Sequence, residues 1–374
     1  MAVFLLIVGL ILFVLLVVVH ELGHFLVAKR NGVEAEEFGL GFPPRVWSRK
    51  LKSGLLFSIN LLPIGGFVKL KGEHDADTEP GTFGAASTWV KTKIMLAGVT
   101  MNLVVAFILL MILAWLGMPQ LVNNQFTVAS DSHVVADQVF IGLVENGSPA
   151  QKAGLKVRDR LEAIGPAGHL QTVKSAAELP SVTEKYAGRT VLIEFSRNGE
   201  QRTAAVHMRT KAQADPPTKN GTQKGYLGIA PSEYTLIRST WSAPIVALGL
   251  IKQFTVLTLQ GLGSVVVALV HGNTSKASAS VTGPVGIFVL LKTGSLLGYQ
   301  VVLFIIALIS LTLALMNVLP IPALDGGRLY VMLIARLLRR PLDQSVEEWV
   351  NTAGFVLIMA LVVLITISDV KRYF

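Results

Sequence analysis

At 374 residues, 52% of them hydrophobic and 15% charged, the chain has a mean hydropathy of +0.57, high for a water-soluble globular protein. The net charge of +9 comes from basic residues that flank apolar runs rather than from one basic block, which argues against a nucleic-acid partner. The absence of cysteine excludes disulfides, thiolate nucleophiles and thiolate metal ligands, so any bound metal must be held by nitrogen and oxygen.

The first predicted element is a membrane span from about Ala2 to Ala28, long enough for roughly 30 Å of hydrocarbon. It lacks a basic start, and no small-residue cleavage pattern follows it, so a retained span is expected rather than a signal peptide. Lys29, Arg30, Arg45, Arg49, Lys50 and Lys52 come next, which puts its C-terminal end on the cytoplasmic side and the N-terminus outside. At its end stands His20-Glu21-Leu22-Gly23-His24. Two histidines four apart share one helix face and can bind one Zn²⁺, and the adjacent carboxylate can take a proton from water at the metal. The pattern is short and matches by chance in many proteins. Its setting raises its weight, because His and Glu inside a membrane are costly unless they act.

Between Phe38 and Lys71 no helical period is present, and Gly39, Gly41, Pro43 and Pro44 interrupt the chain. Leu55 to Asn60 and Phe67 to Lys71 are predicted as short strands around a turn at Pro63-Ile64-Gly65-Gly66. Such a hairpin can dip back into the membrane against protein or a wet cavity and offer an edge to an extended substrate. A plain surface hairpin fits the same residues. His74 to Ser87 is polar, acidic and glycine-rich, and reads as a loop.

A second span, about Ile94 to Gly117, follows Lys91 and Lys93 and runs from inside to outside. It carries Gly98 and Asn102. Helix packing is the commoner role for such a pair, and substrate contact by Asn102 is the sharper one. From about Leu121 to Asp215 the pattern changes to short β-type runs at Val139 to Val144, Arg158 to Ile164, Thr190 to Ser196 and Thr203 to Met208, with a short helix over Ser148 to Leu155. This is one small domain, outside the membrane by orientation. Ala212 to Gly225 is a linker rich in Pro, Lys, Asn and Gly.

Trp241 to Val270 is apolar but interrupted by Lys252, Gln253 and Gln260, so it is either a span or an amphipathic helix at the outer surface. His271 to Ser280 is a polar loop. A third span, about Leu296 to Leu319, ends in Asn317-Val318-Leu319-Pro320-Ile321-Pro322-Ala323-Leu324-Asp325-Gly326-Gly327, followed by Arg328, Arg336, Arg339 and Arg340 on a cytoplasmic flank. A fourth is about Ala353 to Ile367. Lys371 and Arg372 would then lie outside, against the charge tendency.

Two histidines leave zinc short of a third protein ligand, and Asp325 is the acid at the end of a span. To meet it, spans one and three must run the same way, with one crossing between them. A Zn–O bond is about 2 Å and a bilayer core about 30 Å, so the metal hypothesis requires Trp241 to Val270 to lie on the surface.

With these motifs in hand the chain resembles the site-2 intramembrane zinc metalloproteases, in particular the bacterial regulator of sigma-E protease type with a PDZ domain. The likeness runs over nearly the whole length: HExxH at His20 to His24, GxxxN at Gly98 to Asn102, and NxxPxPxLDGG at Asn317 to Gly327, which is far more specific than HExxH. Pro63 to Lys69 is similar to the family's re-entrant hairpin, and Gly147 to Leu155 to a PDZ repeat, although Arg158 stands where that pattern usually has glycine. The length allows one PDZ domain where some relatives carry two.

The resemblance implies a polytopic α-helical membrane protein with four transmembrane helices and a re-entrant β-hairpin, plus a small β-rich PDZ domain. It divides the chain into 1–120, 121–215, 216–295 and 296–374. It implies Zn²⁺ on His20, His24 and Asp325, with Glu21 as general base. It also implies substrate binding by Asn102, Asn317 and the hairpin residues Gly65, Gly66, Phe67 and Val68. The expected partners are single-span membrane proteins (anti-sigma factors or remnant signal peptides, cut after a prior trimming), the lipid bilayer, and a peptide on the PDZ domain. The expected location is the bacterial cytoplasmic membrane, with the N-terminus and PDZ domain outside. Two other classes compete. A transporter would spread polar residues along several spans, whereas here they cluster at one level. A PDZ scaffold with membrane anchors would not need the ionisable motif.

Overall fold

The structure, a computed structural model, describes residues 1–73, 77–197, 199–214, 225–273, 281–339 and 344–374, and only the backbone of residues 63 and 64. Most of the expected linker, much of the polar loop before 281, residues 74–76 of the acidic loop and Arg340 lie outside the described residues. The chain divides into two compact units, Met1–Leu113 with Ala243–Phe374, and Ala114–Ser242.

The first unit is built on helices. Helix α1 (Ala2–Arg30) is an unbroken apolar run without proline. It ends where Gly32 takes φ +77°, with Lys29 and Arg30 beside the carbonyl end of the helix dipole. Of its residues, Gly9, Leu16, His20, Gly23, His24 and Ala28 are buried, a single stripe, while Val3, Phe4, Ile7 and Ile11 are exposed. An apolar helix that is mostly uncovered by protein is suited to lipid.

Helix α2 (Thr88–Leu116) packs against that stripe. A Cβ on Gly23 would stand 2.7 Å from the Ala97 carbonyl oxygen, so glycine there sets how closely the two backbones approach. After the second unit come α6 (Ala243–Val270), α7 (Pro284–Leu297), α8 (Tyr299–Val318), α9 (Asp325–Leu337) and α10 (Gln344–Tyr373). The expected third span, about Leu296 to Leu319, corresponds to α8, and Gly298, φ +119°, separates it from α7, a helix that was not expected. Five helices among the described residues, α1, α2, α6, α8 and α10, are long and apolar enough to cross a membrane, where four spans were expected; α6 is the additional one.

The levels at which these helices meet are well defined. A Cβ on Gly9 would touch Val302 of α8 and Leu291 of α7, about 22 Å along α1 from His24. Gly354 of α10 packs on Pro322, and at the other end of the same helix the Asp369 carboxylate accepts the N–H groups of Gly283 and Gly286. Helix α7 therefore starts at the level remote from His24, and α8 runs from there toward it.

Strands β1 (Ala35–Lys50) and β2 (Leu56–Leu70) form the hairpin. Its reversal lies at Leu51 to Leu55 and not at Pro63-Ile64-Gly65-Gly66, which falls inside β2. The reason is the bend of both strands. Phe38 lies opposite Val68 on one side and Phe57 on the other, and Gly41 (φ +77°) and Gly65 (φ +97°) supply left-handed turns of the backbone within the sheet. Residues 66–70 form the edge next to α1.

In the second unit a short β3 (Met118–Pro119) is followed by β4 (His133–Val144), α3 (Pro149–Lys152), β5 (Arg160–Gly165), β6 (Gln171–Thr172), α4 (Leu179–Lys185), β7 (Thr190–Arg197), β8 (Glu200–His207), α5 (Lys211–Ala214) and β9 (Ile229–Arg238). The sheet order is β3-β9-β4-β5-β7-β8, with β6 on β5. The four expected β runs fall on β4, β5, β7 and β8. The strand beyond the linker, β9, pairs with β4 over its whole length, so the unit extends to Ser242, past the expected boundary. Alternation fills its core: Val191, Ile193 and Phe195 of β7 point inward with Leu161 of β5. Ser148 caps α3 through the Gln151 N–H, with Pro149 at the first turn. Arg158, standing where the PDZ pattern has glycine, adopts φ +73°, the left-handed region that glycine takes without cost.

Candidate metal centre and active site

Helical spacing puts His20 and His24 of α1 on the face covered by α2, and both are only 9% exposed. Asp325 is brought to them by α8 and the turn that follows. Pro320 and Pro322 end that helix, and Gly326 and Gly327 pack so closely under the turn that a Cβ on either would overlap the carbonyl oxygens of Leu319 and Ile321. The two glycines thus let α9 begin at the one place where its first residue, Asp325, faces the histidines.

Three atoms converge. His20 Nε2 is 3.1 Å and His24 Nε2 is 3.2 Å from Asp325 Oδ2, and the two Nε2 atoms are 3.2 Å apart. Ligand atoms at about 2.0 Å from a tetrahedral zinc lie about 3.3 Å from one another, so this triangle is the size of one face of that tetrahedron. Asp325 Oδ2 is buried, and the two imidazole Nε2 atoms are the polar groups that face it among the described residues. Two imidazole nitrogens turned toward each other and toward a carboxylate oxygen are poorly matched without a cation among them. His20, His24 and Asp325 are also the group of potential ligands found close enough together to hold a metal among the described residues.

Helix α2 lines the back of the site. His24 Nδ1 lies 2.7 Å from the Ile94 carbonyl oxygen, an acceptor for its N–H. A Cβ on Gly98 would overlap His24 Nε2 and stand 2.6 Å from His20 Cε1, so only glycine leaves room for both rings. Asn102, 1% exposed, places its amide 3.2 Å from His20 Nδ1, and its backbone carbonyl accepts from Ser310 Oγ of α8.

Glu21 lies beside the metal group, and its carboxylate faces the Val68 N–H at the edge of β2. Gly66 keeps that edge close: a Cβ there would be 3.3 Å from Glu21 Cγ. A cleft of about 420 Å³ starts at Glu21, His24 and Asp325, follows Phe67 to Leu70, and ends among Glu73 and Arg328. The structure thus brings together His20, Glu21, His24, Asp325, Gly66, Phe67 and Val68. Asn102 lies behind His20, buried in the helix packing. Gly65 packs on Phe42, and Asn317 donates to the Leu313 carbonyl one turn back on its own helix; neither lines the cleft. The Ile94 carbonyl was not anticipated, since a backbone acceptor leaves no mark in a sequence.

The geometry agrees with the comparisons. The family model of peptidase family M50 matches residues 8–361. A protein named as a zinc metalloprotease in Clostridium acetobutylicum is 31% identical over 372 residues, covering 99% of this chain and 98% of the relative. One in Clostridium perfringens is 30% identical, covering 97% of each. The zinc metalloprotease RasP of Geobacillus kaustophilus is 26% identical, again with 97% of each covered. With two histidines and an aspartate closing on one point beside a glutamate, and a family match over almost its whole length, this chain belongs to peptidase family M50 and is a metalloprotease.

Proposed function

We propose that this protein is an intramembrane zinc endopeptidase of the site-2 type that cuts single-span membrane proteins within or near the bilayer. The observation that carries the proposal is the 3.1–3.2 Å triangle of His20 Nε2, His24 Nε2 and Asp325 Oδ2 beside Glu21, on helices whose remaining surface is apolar. His20, His24 and Asp325 would hold the ion. The chemistry a zinc ion supplies in such a site is polarisation of the scissile carbonyl and acidification of the attacking water. Glu21 takes the proton from that water and passes it to the leaving amine. The Val68 N–H, which faces Glu21 from the edge of β2, would hold its carboxylate in place for both transfers. Glu73 and Arg328, at the other end of the cleft, give water a polar way in from the membrane surface.

A transmembrane substrate hides its amides in its own helix and must be unwound before attack. The edge of β2 at Gly66 to Val68 is suited to holding the unwound segment as an added strand beside Glu21. Asn317 and Gly65 belong to the same proposal as contacts made once substrate is present. The second unit is proposed to be a PDZ domain outside the membrane. Its β9 pairs fully with β4, whereas β3 covers only Leu236 and Ile237 on the other side. A cleft of about 490 Å³ between α4 and the start of β9, bounded by Leu179, Thr183, Leu227 and Ile229, has the form of a groove for a peptide strand. Anti-sigma factors or remnant signal peptides already trimmed outside the membrane are the proposed substrates, and the bacterial cytoplasmic membrane the proposed location.

Four crossings, by α1, α2, α8 and α10, with α6 along the outer surface, agree best with the helix levels. Helix α2 carries the chain away from the metal level, and α7 begins at that remote level. Phe254 of α6 stacks edge-on against Phe304, near the remote end of α8.

The test is Glu21→Gln in the purified chain, with a reconstituted single-span substrate. Cleavage is expected to fall by about 10²–10⁴-fold, the worth of a general base, while bound zinc stays at one per chain. Unchanged cleavage would sink the mechanism.

A further inference from the structure

Ile94, Gly98 and Asn102 are spaced by four along α2 and occupy the one face it turns to the metal group. The first supports His24 through its carbonyl, the second clears space for both rings, and the third reaches His20. For His20 to offer the Nε2 lone pair to a metal, the neutral ring must carry its proton on Nδ1, which is then a donor. The atom facing Nδ1 must be an acceptor. Asn102 turns its Nδ2 to the ring and leaves Oδ1 buried with no partner among the described residues. The two ends of an amide are alike in shape, and the hydrogen bonds decide between them. Rotating the amide by a half-turn gives the orphaned oxygen to the Nδ1–H and removes the opposition of two donors.

We propose that Asn102 is a positioning residue: its Oδ1 accepts the His20 Nδ1–H, and so fixes the tautomer and ring orientation that direct Nε2 to the ion. This is a different role from contact with substrate, and the 1% exposure of Asn102 supports it. Ser310 Oγ, bonded to the Asn102 carbonyl, ties this point of α2 to α8, which leads to Asp325. The inference rests on the zinc site described above.

The experiment uses the full chain in detergent, with zinc affinity read by chelator competition and the ligand field read from the visible spectrum of the Co²⁺ form. Asn102→Leu is expected to lower zinc affinity by about 10–100-fold, the usual cost of losing such a support. Asn102→Asp, which can only accept, is expected to stay within about threefold of wild type and keep its Co²⁺ spectrum. If Asn102→Leu binds zinc as wild type does and raises KM alone, Asn102 is a substrate contact and the proposal is overturned. Where Asn102→Leu fails to fold by gel filtration, Asn102→Asp decides: zinc loss as deep as that of His20→Ala overturns it. Zinc held equally by His20→Ala and wild type would remove the metal site itself, and this role with it.

Discussion

Asp325 Oδ2 stands 3.1 Å from His20 Nε2, although the two residues lie near opposite ends of the chain. No bond within either helix requires this; it is set by the depth at which α1 and α8 end. Replacing Asp325 by Asn keeps the size and removes the negative charge from an oxygen buried between two imidazoles. The expected result is a loss of zinc affinity greater than about 100-fold, the upper cost for a residue that merely supports a ligand. Cleavage should be lost in parallel and recover in part with added zinc. Zinc titration of the variant checks this.

Gly98 is expected to tolerate no side chain. Gly98→Ala puts a methyl group into His24 Nε2, and the rings or α2 must shift. Overpacking of this kind costs about 1–3 kcal/mol. Here part of that cost should appear as zinc loss, because the atoms displaced belong to the proposed ligands. Gly263→Ala of α6, where a Cβ meets nothing within 4 Å, is the control and should be neutral or slightly stabilising. Thermal unfolding and metal content of both variants are the measurements.

Val68 contributes its backbone rather than its side chain. Val68→Pro removes the N–H that faces the Glu21 carboxylate, on an edge run where proline is tolerated. The prediction is a fall in kcat of at least about tenfold with zinc affinity unchanged, and a silent Val68→Ile. Equal kcat for the proline variant would remove the Val68 amide from the mechanism.

Glu233 of β9 provides a pH-dependent tie in the second unit. Its carboxylate accepts from Ser175 Oγ and the Ala176 N–H, and these bonds hold it below the usual carboxylate range. A carboxyl depressed in the folded state adds stability above its unfolded pKa, near 4.3, and loses it as pH falls through the lower folded value. The protection factors of Ala176 and Ala177, exchange rates corrected for the intrinsic pH dependence of amides, should therefore fall on acidification below about pH 4, and Glu233→Gln should flatten that dependence.

Much of the site was legible in the amino-acid order because helical spacing is local. His20 and His24 must share a face if Ala2 to Val19 is helical, whatever surrounds them, and Glu21 must lie next to that face. Asp325 was the acid at the end of a span, and taking it as the third ligand required Trp241 to Val270 to lie on the surface, since a metal bond and a membrane differ more than tenfold in length. The hairpin was visible as a break in helical period, but its reversal point was not. Pro63-Ile64-Gly65-Gly66 is good turn chemistry, yet in the folded sheet those glycines bend a long strand.

Sequence alone, then, determined which groups could carry the chemistry: nitrogen and oxygen donors on one helix face, an adjacent carboxylate, and apolar helices to carry them. It did so because ligand spacing on a helix and hydrophobic run length are properties of neighbouring residues. Tertiary structure decided what the second helix does for the first. That Ile94 lends a carbonyl to His24, that Gly98 is a space rather than a contact, and that Asn102 backs His20 depend on how two helices rotate and approach. That arrangement comes from the packing of Gly23 on Ala97 and Met101, a contact between residues far apart in the chain.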